Sequence, residues 1–328
     1  MNRRHFLRAA AGTAALPVLG CSDDGPSLLN ASYDATRELY RRLNRLFTAQ
    51  HKVKVRASHG GSGSQARAVI DGLPADVLTL ALWPDTDAVH KAGLIDASWE
   101  DRFPHHSCPY TSTIVFVVRK GNPHGIRDWD DLRSKPNLKV IAANPKTSGA
   151  AKLALLALWG SVVTRGGSDR EAEALVKAVY RRVPALESSS RAATVTFARK
   201  QIGDVHLTWE NEAHLEVREL KGELEIVHPR RSILAEPHVA VVDANTRRHG
   251  TAALAEAYLR SLYEPDAQDV IAEEYYRPTT PEAAKKHAGR FGEINLFRIE
   301  QVTPGGWPEA QAKFFAAGGV FDRVYAGG

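Results

Sequence analysis

Cysteine is nearly absent from the 328 residues: Cys21 and Cys108 are the whole complement. A small fold framed by disulfides is excluded at once. Metal-ligand clusters are equally scarce. His105-His106-Ser107-Cys108 places ligand types side by side, yet no second Cys/His pair stands at ligand spacing, so no metal is expected. With 25 Gly and 17 Pro the chain is too poor in both for a collagenous or low-complexity protein. An excess of one charge is lacking too. The net +5 includes Arg3, Arg4 and Arg8, which precede any acid; without them it is +2, too little to imply a polyanion, and no nucleic-acid partner is expected. Enzyme fingerprints are missing as well. Gly60-Gly61-Ser62-Gly63-Ser64 lacks the Gly-Lys-Ser/Thr ending of a P-loop, the Gly-x-Ser-x-Gly of a nucleophile elbow and the Gly-x-Gly-x-x-Gly of a dinucleotide site. No cofactor follows from it.

What remains is an ordinary soluble composition, 43% hydrophobic and 25% charged. At about 100–200 residues per domain the length suggests two domains. The start departs from this pattern. Three arginines lead an uncharged stretch, residues 9–20, of 12 residues, too short to cross a bilayer. Residues 1–20 therefore read as an export signal. Arg3-Arg4-His5-Phe6-Leu7 resembles the twin-arginine signal, and Val18-Leu19-Gly20-Cys21 resembles the lipobox of bacterial lipoproteins. The second resemblance implies cleavage before Cys21 and lipid on Cys21, which leaves Cys108 without an intrachain partner. Residues 22–27 form a short polar tether. The expected location is the periplasm or cell surface, held to a membrane by lipid.

Beyond the tether, apolar runs alternate with helical periodicity. Strands are expected at 28–32, 53–57, 77–82, 113–118, 138–142, 183–186, 204–209 and 239–242, with helices between them. Leu39, Leu43, Leu46 and Phe47 mark one helical face; residues 149–159, 171–180, 190–200 and 251–262 are further helices. The pattern is α/β with mostly parallel sheets in two lobes.

Four segments share one form: a strand ends, a small polar turn follows, and a helix begins. They centre on Asp34, on Ser62, on Ser148-Gly149-Ala150, and on Ser188-Ser189-Ser190. Helix N-termini leave backbone N–H groups without intrahelical partners, and these attract anions. Taken singly, each turn also reads as an ordinary N-cap. Four together, at the carboxyl ends of strands, suggest a shared anion site. Glu210 and Glu212 read as acids complementing a helix dipole.

At this point the motifs resemble a known family. Leu28-Leu29-Asn30-Ala31-Ser32-Tyr33-Asp34, Ser58-His59-Gly60-Gly61-Ser62-Gly63, Asn144-Pro145-Lys146-Thr147-Ser148-Gly149, Trp209-Glu210-Asn211-Glu212 and Tyr276-Arg277-Pro278 are similar, in order, to bacterial periplasmic sulfate-binding proteins. The likeness runs from about residue 28 to the end. It implies the two-lobed periplasmic binding-protein type II fold with an anion cleft between lobes. It implies lobe 1 from 28–112 and 236–276, and lobe 2 from 113–235 and 277–328. It implies a non-enzymatic receptor that hands sulfate to the permease and ATPase subunits of an ABC importer, as a monomer. The donors implied are the backbone of Asp34, the backbone and hydroxyl of Ser62, Ser148, the backbones of Gly149, Ala150 and Ser190, and the Trp209 indole; Arg191 supports the site without pairing with the anion. The chain departs from the family at Ala35, where Pro is common, at Ala150, where Gly is usual, and at Ser189-Ser190, where Gly-Ala is usual. The Ser190 hydroxyl is expected to cap its helix. Thiosulfate, and molybdate or tungstate, stay open as ligands, as does an enzyme acting on a sulfated or phosphorylated compound. The donor set contains no group that titrates between pH 5 and 8, so sulfate affinity is expected to be flat across that range.

Overall fold

The structure is a computed structural model that describes residues 25–325. The export signal, Cys21 and most of the tether lie outside the described residues. No helix among the described residues is long and apolar enough to cross a membrane.

Two four-stranded sheets organise the chain. In the first, Ser27–Tyr33 lies between Lys54–Gly60 and Val77–Leu80, both parallel to it, and His238–Val241 adds an antiparallel edge. In the second, Val140–Ile141 pairs in parallel with Val205–Trp209, while Ile114–Arg119 runs antiparallel to both Val205–Trp209 and Leu224–Val227. The expectation of mostly parallel sheets therefore holds only in part. Each sheet has one reversed strand, Ile114–Arg119 or His238–Val241. Both follow directly on a segment linking the two halves, whereas parallel neighbours need a helical crossover.

Three linking segments lie side by side. Tyr110–Thr111 pairs with Arg277–Pro278, and Ser112 bridges Ala235 through N–H to carbonyl bonds of 3.0 and 2.9 Å. After Pro278 the chain stays against helix Pro265–Glu273, where Lys286 and His287 bond Asp269 at 2.6 and 2.8 Å. It reaches the second half at Asn295–Phe297, which pairs with Arg231–Ile233.

Local chemistry explains most elements. Leu39, Leu43 and Phe47 are buried on one face of helix Arg37–His51, as their spacing requires. Helix Gly149–Val163 is apolar nearly all round and is buried nearly all round. Ser168 and Glu171 close a reciprocal capping box on helix Asp169–Tyr180. Residues 183–186 do not form the expected strand. The chain there runs beside 140–144 and contributes one isolated bridge, Ala143 to Glu187. Pro184, without an N–H, interrupts the ladder. The helix expected over 190–200 is Ser190–Thr194 followed by a wider π-helical turn, Val195–Arg199.

Candidate functional site

The four polar turns do stand at helix starts. Asp34 opens a short turn, Asp34–Thr36, that leads into helix Arg37–His51. Ser62 is the first residue of helix Ser62–Ile70. Ser148 caps helix Gly149–Val163 and accepts from the Ala151 N–H at 3.5 Å. At the fourth turn Ser189, in extended conformation, is the cap and accepts from the Ala192 N–H at 3.2 Å. This corrects the expectation that Ser190 caps its own helix. Ser190 is the first helical residue, and its hydroxyl bonds no protein group among the described residues.

The structure brings these turns into one cluster. Gly61 lies so close to the Ser148 turn that an added Cβ would stand 3.2 Å from the Thr147 carbonyl oxygen. A Cβ on Gly149 would meet Ala81 at 3.2 Å and Leu82 at 3.4 Å, just beyond the first sheet. The Thr147 hydroxyl donates to the Ser188 carbonyl at 2.8 Å and so joins the third turn to the fourth. Helix Ser190–Thr194 in turn packs against Asp34–Thr36. Trp209 ends the central strand of the second sheet and is 1% exposed; its ring lies 5.7 Å from that of Tyr33, next to Asp34. The Trp209 indole N–H donates to no protein group among the described residues. Asp34, Arg191, Glu212 and Tyr276 help to line a cavity of about 380 Å³; Ser62, Ser148 and Trp209 are buried instead and do not line it.

Electrostatics around the cluster are uneven. The Ser62 oxygen accepts from the Ala81 N–H at 3.0 Å, and its hydroxyl hydrogen-bonds Asp85. Burial pushes the Asp85 carboxyl above its usual range; Lys152, the bond to Ser62 and Arg67 pull it back. The Ser62 hydroxyl is thus already engaged, while its backbone N–H is the first of a helix. Burial, then the nearby Arg37, hold His59 below the usual imidazole range, so His59 is neutral at pH 7. Glu212 is pushed up to about 8, first by burial; Arg191, 3.7 Å away, opposes this, and Glu216 and Asp34 add to it. Glu212 is therefore mostly protonated at neutral pH.

This constellation can be set beside known proteins. The model of the family described as bacterial extracellular solute-binding protein matches residues 28–277. The chain belongs to that family. Within it, a sulfate-binding protein of Escherichia coli (strain K12) is 50% identical over 327 residues, covering 97% of this chain and 96% of the relative. A thiosulfate-binding protein of Pseudomonas aeruginosa is 42% identical, covering 98% and 99%. Among solved structures, the sulfate-binding protein SubI from Mycobacterium tuberculosis H37Rv superposes with a TM-score of 0.81 at 31% identity, over 89% of this chain and 100% of that one. The resemblance read from the motifs is borne out, and the fold is that of periplasmic binding proteins.

Sequence reasoning missed several residues in this family member. Glu210, taken only as a helix-start acid, is fully buried and forms a two-pronged pair with Arg277 at 2.7 and 2.8 Å. Asn211 donates to the Ala35 carbonyl at 3.2 Å, and the Tyr276 hydroxyl donates to the same oxygen at 2.7 Å. These contacts span 67, 176 and 241 residues of chain, a range at which no spacing signal exists. The His105-His106 pair serves no cluster: no group of three potential metal ligands occurs among the described residues. Cys108 is buried and donates to the Pro237 carbonyl at 3.0 Å; burial raises its pKa well above the usual thiol value.

Proposed function

We propose that this protein is the capture subunit of an ABC importer for sulfate and that it holds the dianion with uncharged donors between two lobes. The clustering of four helix-starting turns, one of them beside Trp209, whose indole N–H donates to no protein group among the described residues, supports this reading. The backbones of Asp34, Ser62, Gly149, Ala150 and Ser190, with Ser148 and the Trp209 indole, are the donors. Arg191 faces Glu212 rather than the anion. Burying a dianion is costly unless its oxygens are hydrogen-bonded. Each bond to a charged acceptor is worth about 1.5–3 kcal/mol, which lets such a cage offset desolvation. A cage of donors also disfavours hydrogen phosphate, whose proton needs an acceptor.

The lobes divide at 112–113, at 235–236 and over 277–294, the last divide being drawn out by the contacts of 279–290 with helix Pro265–Glu273. The protein performs no catalysis, works as a monomer and passes sulfate to permease and ATPase subunits. It leaves the cytoplasm by the twin-arginine-like signal and is anchored through Cys21.

Thermal shift with sulfate, thiosulfate, phosphate, molybdate and tungstate tests the ligand. At about 100 times Kd a ligand adds roughly 2.7 kcal/mol, so sulfate should raise Tm clearly while phosphate does not. Thiosulfate is the second candidate because the 42% identical relative is a thiosulfate-binding protein; a larger shift with thiosulfate would reassign the ligand. A shift with molybdate alone would overturn the reading.

A further inference from the structure

Behind the donors, and touching none of them, lies a buried carboxylate. Glu216 sits in helix Glu210–Glu219 and is 1% exposed. Its Oε1 accepts from the Thr194 hydroxyl at 2.9 Å. His206 Nδ1 stands 3.0 Å from Oε1 and 3.2 Å from Oε2, and facing a carboxylate it carries the proton. His206 is also 1% exposed, and its Nε2 has no partner among the described residues. Glu216 is therefore the polar group that orients this ring, with Phe197 packed 5.5 Å from it.

The positions of the partners matter. Thr194 is the last residue of the helix that begins at Ser190. His206 lies on the strand that ends at Trp209, and Glu216 lies on the helix that starts directly after it. A single carboxylate thus bonds the element carrying one donor and the element carrying another. We propose that Glu216 is a positioning residue for anion capture, fixing the Trp209 indole relative to the Ser190 backbone. The inference rests on the reading of those two groups as donors.

Stability alone is a poor explanation of such a residue. A buried charged or polar network is commonly replaced by apolar side chains at no loss of stability, whereas removal of one partner leaves a costly unpaired group. What directional bonds add is register. Hydrogen bonds to an anion weaken steeply with distance and angle, and a donor cage needs its groups held within about 0.5 Å. Two carboxylate oxygens bonded to two separate elements supply that constraint from behind.

The test uses sulfate titration by calorimetry and by tryptophan fluorescence on a set of variants. Thr194→Val keeps the shape and removes the hydroxyl; Thr194→Ser restores it. Trp209→Phe tests the underlying donor. Thr251→Val breaks a comparable buried bond, Thr251 Oγ1 to Asp76 Oδ1 at 2.6 Å, at the opposite end of the first sheet. The expected result is sulfate affinity about tenfold weaker in Thr194→Val, by roughly one hydrogen bond's worth of misplacement, near wild type in Thr194→Ser, and unchanged in Thr251→Val, whatever each does to Tm. Glu216→Gln should also weaken binding. If Trp209→Phe weakens binding while Thr194→Val and Glu216→Gln lower only Tm, Glu216 is merely structural and the inference falls alone. If Trp209→Phe binds as wild type, the donor reading falls and takes the inference with it.

Discussion

An indole N–H is a donor with no acceptor capacity, held on a rigid ring, and Trp209 directs it at no protein group among the described residues. Trp209→Phe keeps the aromatic body against Tyr33 and removes the donor. Sulfate affinity should fall by about 1.5–3 kcal/mol, as for one charge-assisted bond, and the fluorescence change on binding should be lost. Unchanged affinity would remove Trp209 from the site. Glu212 modifies the expectation of a flat pH profile. Its folded pKa, about 8, lies above the unfolded value of 4.5. Its contribution to stability is therefore whole below about pH 4.5 and is lost as pH rises through 8. Above pH 8 its charge also stands beside Asp34. Affinity should hold from pH 5.5 to 7 and decline toward pH 9, whereas Tm should already fall between pH 5.5 and 8 and level off above; Glu212→Gln should remove most of both changes. Calorimetry and melting at pH 5.5, 7, 8 and 9 check both, and an identical decline in the variant would clear Glu212. The donors of the proposed cage are those that the resemblance in the motifs implies. The motifs did not show that Ser189 rather than Ser190 takes the cap, nor that Asp85 competes for the Ser62 hydroxyl, because rotamer and neighbour decide those points.

Helix starts do most of the positioning. Gly149 begins a helix with its Cα against Ala81 and Leu82 of the opposite half, at a distance where even a methyl crowds. Gly149→Val should hold the two halves apart. Overpacking of this kind costs about 1–3 kcal/mol, and at this contact the cost falls on the closed state, so sulfate affinity should drop by about tenfold or more. Tm without sulfate should change little. Wild-type affinity in that variant would mean the halves do not close on this contact. Most elements were legible because their apolar residues keep a strand or helix period, as in Arg37–His51 and Val77–Leu80. The exceptions have local causes. Val183 and Leu186 look like strand residues, but Pro184 breaks the ladder between them. Strand direction was not legible at all in Ile114–Arg119, since it depends on the path by which the chain enters the second half. Glu210–Arg277 and Glu216–His206–Thr194 were invisible for a related reason: each lies in an unremarkable local sequence and acquires its partner only through tertiary packing.

At the scale of the whole molecule, the proposed lipid anchor at Cys21 would set where the receptor works. Cys21 follows Leu19-Gly20 behind a basic start. Intact-mass analysis of membrane-extracted protein should find Cys21 at the amino terminus with acyl chains, and Cys21→Ser should yield either released protein or uncut precursor. Cleavage elsewhere without lipid would refute the anchor. The linking segments have a further consequence. On the lobe division proposed above, the chain passes between the halves three times, near 112, near 235 and over 277–294. An odd number of passages leaves its two ends on different halves. Gly25 adjoins the first sheet, whereas helix Val320–Tyr325 packs on helix Asp169–Tyr180 of the second, with Phe321 and Tyr180 rings 5.7 Å apart. With the amino end tethered as proposed, one half would be moored and the other, which carries the carboxyl end, would move against it. Fluorophores at Gly25→Cys and Tyr325→Cys would span the moving joint, since the native Cys108 is buried from labelling reagent. Energy transfer between them should shift when sulfate is added and return when it is dialysed away; a constant signal would mean that the halves do not move relative to each other. The same geometry makes the two ends natural handles for pulling the receptor open across its own ligand.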